Sequence, residues 1–115
     1  MVTLYGLKVC DTCRKARKDI ENAEKSVCFV DVRETPLSAE NRRDFAASLG
    51  DALINKRSTT WRELSESDRS GTPESLIERF PTVMKRPVIV SKNGISLGWD
   101  KAAKALHLGT SGSAS

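Results

Sequence analysis

Hydrophobic and polar positions alternate along this chain with two different periods, and the switches between them mark its elements. Val2 to Tyr5 is a β-branched and aromatic run closed by Gly6, which predicts a strand ending in a loop. Cys13, Ala16, Ile20 and Ala23 then recur at spacings of three, four and three, one apolar stripe of a helix whose other faces carry Arg14, Lys15, Lys18 and Glu21. Val27 to Val32 is a second β-rich run. Strand, helix and strand within about thirty residues make a βαβ unit, with parallel strands and a right-handed crossover.

Thr35-Pro36-Leu37-Ser38 interrupts this pattern. Ser38 is placed to cap a helix that carries Phe45, Ala46 and Leu49, and Gly50 suits its stop. Thr60 to Glu63 has capping-box spacing, and Thr72-Pro73 combines an N-cap with proline at the first helical position. Residues 36–80 therefore read as helical. Beyond Pro81 the period returns to two. Val88-Ile89-Val90, Lys92-Asn93-Gly94 and Ile95-Ser96-Leu97 predict a hairpin, with Asn-Gly supplying a positive φ for the turn. Asp100 can cap a last helix containing Ala102, Ala103, Ala105 and Leu106, which leaves His107 beyond it as a solvated residue.

The order is βαβ, a helical insertion, then ββα. It predicts an α/β protein with a mixed sheet and helices on its faces, the thioredoxin-like fold. We expect one domain over 1–108, with 36–80 as the insertion, followed by a flexible tail over 109–115 that contains only Gly, Ser, Thr and Ala. The 115 residues suffice for one self-supporting core. No run approaches the ~20 apolar residues of a membrane span, and the opening MVTLYGLKV lacks a basic segment before a long apolar core. A monomer in the cytoplasm, with no membrane partner, is the expectation.

Charge narrows the picture only slightly. Nineteen Lys and Arg against 15 Asp and Glu give +4, which suits an anionic ligand, yet solvated helix faces account for it equally well. The few aromatic residues are not interleaved with basic ones, so nucleic-acid binding is not the expected function.

Cysteine changes the picture most. Cys10-Asp11-Thr12-Cys13 lies between a predicted strand and a predicted helix, and Cys28 stands alone. A structural zinc site wants four ligands, usually with a second close pair. Only Cys28 and His107 remain here, so a redox dithiol is favoured and no metal is expected. At a helix N-terminus Cys10 meets unpaired N–H groups, which stabilise a thiolate, and Arg14 adds positive charge. Cys13 shares the buried face with Ala16 and Ile20. Cys10 is thus the expected nucleophile and Cys13 the sheltered resolving thiol. Cys28, flanked by Val27, Phe29 and Val30, reads as a core thiol that should alkylate slowest of the three. Arg86-Pro87 precedes the third strand. Only about 5–6% of X–Pro bonds are cis, but this architecture places a cis proline opposite the reactive cysteine, with Arg86 beside it.

Three motifs in order resemble the ArsC family: Cys10-Asp11-Thr12-Cys13-Arg14-Lys15-Ala16, then Asn55 to Arg62, then Lys85-Arg86-Pro87-Val88. The likeness runs from Val2 to about Leu108, is nearest to the YffB-type branch, and has Spx regulators as cousins. It implies a nucleophile at Cys10, with glutathione as co-substrate, glutaredoxin as a further partner and no bound cofactor. Arsenate-reducing members hold the oxyanion with three arginines. Arg86 matches one, while the other two positions fall at Asn55 and Trp99, with Lys56 and Arg57 close by as substitute cations. The resemblance therefore implies a thiol–disulfide oxidoreductase acting on a small thiol, disulfide or anionic substrate. Its site residues would be Cys10, Cys13, Arg14, Asn55, Arg57, Arg86 and Pro87. A redox-sensing regulator that binds RNA polymerase, and an arsenate reductase proper, are the alternatives.

Overall fold

The computed structural model describes residues 2–108. In chain order the elements are β1 (Val2–Gly6), α1 (Asp11–Asn22), β2 (Val27–Asp31), α2 (Ala39–Leu49), α3 (Thr59–Arg62), α4 (Glu66–Arg69), α5 (Pro73–Arg79), β3 (Val88–Ser91), β4 (Gly94–Leu97) and α6 (Lys101–Leu108). Single 3-10 turns at Gly50–Leu53 and Pro81–Val83 flank the middle segment. The expected order of βαβ, helices and ββα is observed. The chain forms two compact units, one of residues 2–31 with 86–108 and one of 32–85. The predicted tail over 109–115 lies outside the described residues. Among those described, no helix is long and apolar enough to cross a membrane.

The first unit is a four-stranded mixed sheet in the order β2-β1-β3-β4. β1 pairs parallel with β2 and antiparallel with β3, and β3 pairs antiparallel with β4. One sheet face presents Val2, Leu4 and Ile89 to Cys13, Ala16 and Ile20 of α1, all buried, with Leu108 of α6 packed against the same cluster. Each large aliphatic side chain buried there contributes roughly 1.5–3 kcal/mol. The apolar stripe read from the sequence is the buried face of α1, and Asp100 caps α6 as expected, its Oδ1 2.9 Å from the Ala103 N–H.

The hairpin forms with a different turn. Ser91 pairs with Gly94 around Lys92-Asn93, and only Gly94 has positive φ, at 136°. Asn93 serves instead through hydrogen bonds, its N–H donating to Ser91 Oγ and its Nδ2 donating to the Leu106 carbonyl.

In the second unit every short helix is started by a hydroxyl. Ser38, Ser58, Ser65 and Thr72 each accept an N–H three residues ahead. These caps matter because one-turn helices have most of their backbone donors unpaired. Ser58, not Thr60, caps α3, and Thr60 Oγ1 instead hydrogen-bonds Thr82 Oγ1 at 2.6 Å.

Candidate functional site

Cys10 occupies the position the sequence suggests, and its role is more specific than proximity to a helix. It is the N-cap of α1, with extended φ and ψ of −84° and 118°, and its sulfur accepts the Cys13 N–H at 3.4 Å. Cysteine here performs the task that serine or threonine performs at the other caps. The loop that delivers it is tied down at both ends. The Cys10 N–H donates to the Leu7 carbonyl at 3.0 Å, and the Lys8 N–H to Asp31 Oδ2 at 2.9 Å. Val9, the residue before Cys10, is an exposed large apolar side chain.

The two thiols are driven apart. Partial burial pushes the Cys10 thiol up. Hydrogen bonds from the Cys13 thiol and N–H and from the Thr12 N–H, together with the positive charge of Arg86, outweigh it, so the Cys10 pKa falls below the ordinary thiol value. Cys13 is fully buried, and its thiol is pushed up to about 12, first by burial and then by donating to Cys10. The thiolate is therefore concentrated on the half-exposed sulfur and the proton is held on the buried one. Gly6 makes this arrangement sterically feasible. A Cβ on Gly6 would overlap Cys13 Sγ and approach Cys13 Cβ at 3.2 Å.

Arg86-Pro87 is cis, and Arg86 stabilises negative charge on both sulfurs. Pro87 is buried. Arg14 is placed differently from the expectation. Its exposed guanidinium pairs with Asp11 in the first turn of α1, and the charge that acts on Cys10 comes from Arg86. Trp99, at one of the positions where the resemblance implies an arginine, donates its Nε1–H to Asp19 Oδ2 of α1 at 2.8 Å.

Asn55 and Arg57 belong to the second unit. Asn55 organises the turn into α3: its Oδ1 accepts the Arg57 N–H and its carbonyl accepts the Ser58 N–H. The exposed Lys56 and Arg57 line a groove of about 700 Å³ with Asn55 and Lys85. Lys56 and Arg69 also lie over the Trp61 ring, at 5.8 and 5.4 Å.

Two expectations are corrected. Cys28 is exposed, not a core thiol. β2 is the edge of the sheet, and alternation along it turns Val27 and Phe29 to the core cluster and Cys28 to the opposite face. His107 is buried, not solvated. α6 runs one residue past it, placing it four residues after Ala103 on the buried face, where Ser91 and Ser96 satisfy both ring nitrogens at 2.8 Å. No motif marked it, although its spacing from Ala103 is the helical signal that extends the stripe.

These features agree with what the chain is similar to. A solved YffB protein superposes with a TM-score of 0.84 and 28% identity, covering 94% of this chain and 99% of its own. An arsenate reductase (ArsC) related protein from Brucella melitensis gives a TM-score of 0.69 and 31% identity, covering 94% of each chain. The global transcriptional regulator Spx of Listeria innocua is 28% identical over 108 residues, 88% of this chain and 82% of the regulator. The profile of the ArsC family matches residues 5–105, and with a thioredoxin-like fold and both cysteines in place, this chain belongs to the ArsC family.

Proposed function

We propose that this protein is a thiol–disulfide oxidoreductase that uses Cys10 as nucleophile, Cys13 as resolving thiol and glutathione as reductant, in the reducing setting of the cytoplasm. The carrying observation is the capping of α1 by the Cys10 sulfur, which aims backbone N–H groups at the thiolate. Likeness to an arsenate reductase related protein supports the reaction class.

The chemistry balances without a resident cofactor. Cys10 thiolate attacks one sulfur of a substrate disulfide, a new S–S bond forms, and the other substrate sulfur leaves as a thiolate. With its negative charge gone, Cys10 no longer holds the proton on Cys13. Cys13 loses that proton to solvent or the departing thiolate, attacks Cys10 Sγ and releases the second substrate thiol. Two glutathione thiols then reduce the Cys10–Cys13 disulfide and leave as oxidised glutathione. Arg86 steadies an anionic group of substrate or glutathione. With Asn55 and Trp99 where two oxyanion-holding arginines would be, arsenate is not the substrate. Glutaredoxin is a further partner in discharging the enzyme.

The test is mass spectrometry after mild oxidation with glutathione present. A mass increase of one glutathionyl group on Cys10 in Cys13→Ser, and an internal disulfide in the unaltered chain, are expected. Unmodified Cys10 in both would overturn the reading, as would rapid arsenate turnover that needs Cys10.

The likeness to the Spx regulator supports a second reading, in which the same dithiol is a redox switch. Capture of RNA polymerase by the reduced or oxidised chain, without disulfide reductase activity, would favour it.

A further inference from the structure

At the end of the sheet where β1 begins, the first unit contains a cavity of about 310 Å³. Lys25 and Ser26 come to it from the segment between α1 and β2, Ser91, Lys92 and Asn93 from the hairpin, and His107 from the last turn of α6. β1 spans five residues, roughly 16 Å, between this cavity and the loop that carries Cys10. The site is separate from the dithiol and does not depend on its chemistry.

Apart from Val2, the lining residues are cationic or hydrogen-bonding. Among the described residues no carboxylate contributes to the lining and neither lysine is ion-paired. Both lysines are exposed, while His107, behind them, is only 2% exposed. The back wall is fixed by a continuous chain of hydrogen bonds. The Asn93 N–H donates to Ser91 Oγ at 3.2 Å, and the Ser91 and Ser96 hydroxyls hydrogen-bond His107 Nδ1 and Nε2, each at 2.8 Å. Asn93 Nδ2 ties the hairpin to α6 through the Leu106 carbonyl at 2.8 Å. That bond also neutralises one of the helix-end carbonyls that would otherwise repel an anion.

Two ammonium groups with hydroxyl and amide donors around a small, rigid space are the requirements of an oxyanion receptor. The volume is at the small end of ligand cavities, which excludes a bulky occupant. We propose that this cavity binds a phosphate-type oxyanion, held between Lys25 and Lys92 in front of His107. The charged residues next to the lining in sequence are Glu24, which adjoins Lys25 and does not line the cavity, and Lys104, one turn before His107 on α6.

The chain has one histidine, so its imidazole C–H resonance reports the back wall alone. Inorganic phosphate, and separately a small phosphate monoester, are titrated at constant ionic strength, with sodium chloride making up the balance. The expected result is a saturable shift of the His107 resonance, with its titration midpoint raised by roughly one pH unit at saturation, because a nearby anion favours imidazolium. In Lys25→Ala/Lys92→Ala the affinity falls by roughly tenfold or more. Lys18→Ala, on an exposed face of α1, keeps it. Saturation by both ligands identifies a phosphoryl receptor, and saturation by phosphate alone a free-anion site; each supports the proposal. A linear response equal to that of chloride, or a saturable shift undiminished in the double variant, would overturn it.

Discussion

Cys10 and His107 lie at opposite ends of the same sheet, and both have pKa values below their ordinary ones, but for opposite reasons. At Cys10, burial raises the pKa and is outweighed by the Cys13 thiol and N–H, Arg86 and the Thr12 N–H, so the shift favours the thiolate. At His107, burial itself lowers the pKa and outweighs the Ile89 main-chain hydrogen bond, so the lowered value means a neutral ring. The difference lies in the partners. A helix start supplies directed N–H donors that favour negative charge, whereas serine hydroxyls satisfy a neutral imidazole and do little for a charged one. The Cys10 sulfur is placed to carry charge and the His107 ring to stay uncharged.

The largest effect should come from removing the charged group itself. Cys10→Ser is expected to reduce disulfide exchange to background, read as glutathione-coupled turnover, while Cys13→Ser should still form the first mixed disulfide and then stall. Exchange by Cys10→Ser at the parental rate would break the comparison at its active end. Next in size is Gly6→Ala. Its new methyl group would overlap Cys13 Sγ, a buried atom with little room to retreat, so stability should fall by about 1–3 kcal/mol in urea unfolding. Cys13 should also alkylate faster in this variant, which a merely looser core elsewhere would not cause.

Much of this was legible in the sequence, because it is written in local signals. Ser38, Thr72 and Asp100 cap the helices they were expected to cap, and the Cys13–Ala16–Ile20 stripe is the buried face. What escaped depends on strand order, which no local pattern encodes. Val27 to Val30 looks like a strand buried on both faces, and only its place at the sheet edge exposes Cys28. His107 looked solvated because its partners, Ser91 and Ser96, come from a hairpin 16 and 11 residues earlier. The Trp99–Asp19 hydrogen bond spans 80 residues and has no sequence signature. Arg86 reached the site through the architecture: as a lone charge in the sequence it was indistinguishable from the other cations.

A smaller effect should follow from neutralising the guanidinium. Arg86→Gln removes one of several influences that lower the Cys10 pKa, so its alkylation midpoint should rise by roughly one unit or less, and the rate at neutral pH should fall accordingly. At the other end, the unfolded chain takes up a proton at His107 before the folded one does. Stability should therefore fall as the pH drops below about 6.5, by at most about 1.4 kcal/mol per pH unit, and His107→Gln should flatten that slope. An unchanged slope would mean that the ring is not held neutral by burial.

The smallest effect concerns Cys28, which belongs to neither end. Exposure on an edge strand makes it accessible to reagent, whereas Cys13 is covered by the core and holds its proton up to about 12. Iodoacetamide should therefore label Cys10 first, Cys28 second and Cys13 last at neutral pH, each followed by peptide mass spectrometry. The expectation from sequence, with Cys28 slowest, is the outcome that would overturn its placement on the open face of β2. Cys28→Ser should change stability by no more than about 0.5 kcal/mol, as for an exposed position with no special geometry, and leave Cys10 labelling unaltered. A larger loss would mean that the Cys28 sulfur packs against apolar neighbours after all, and that burial in this sheet extends to its edge.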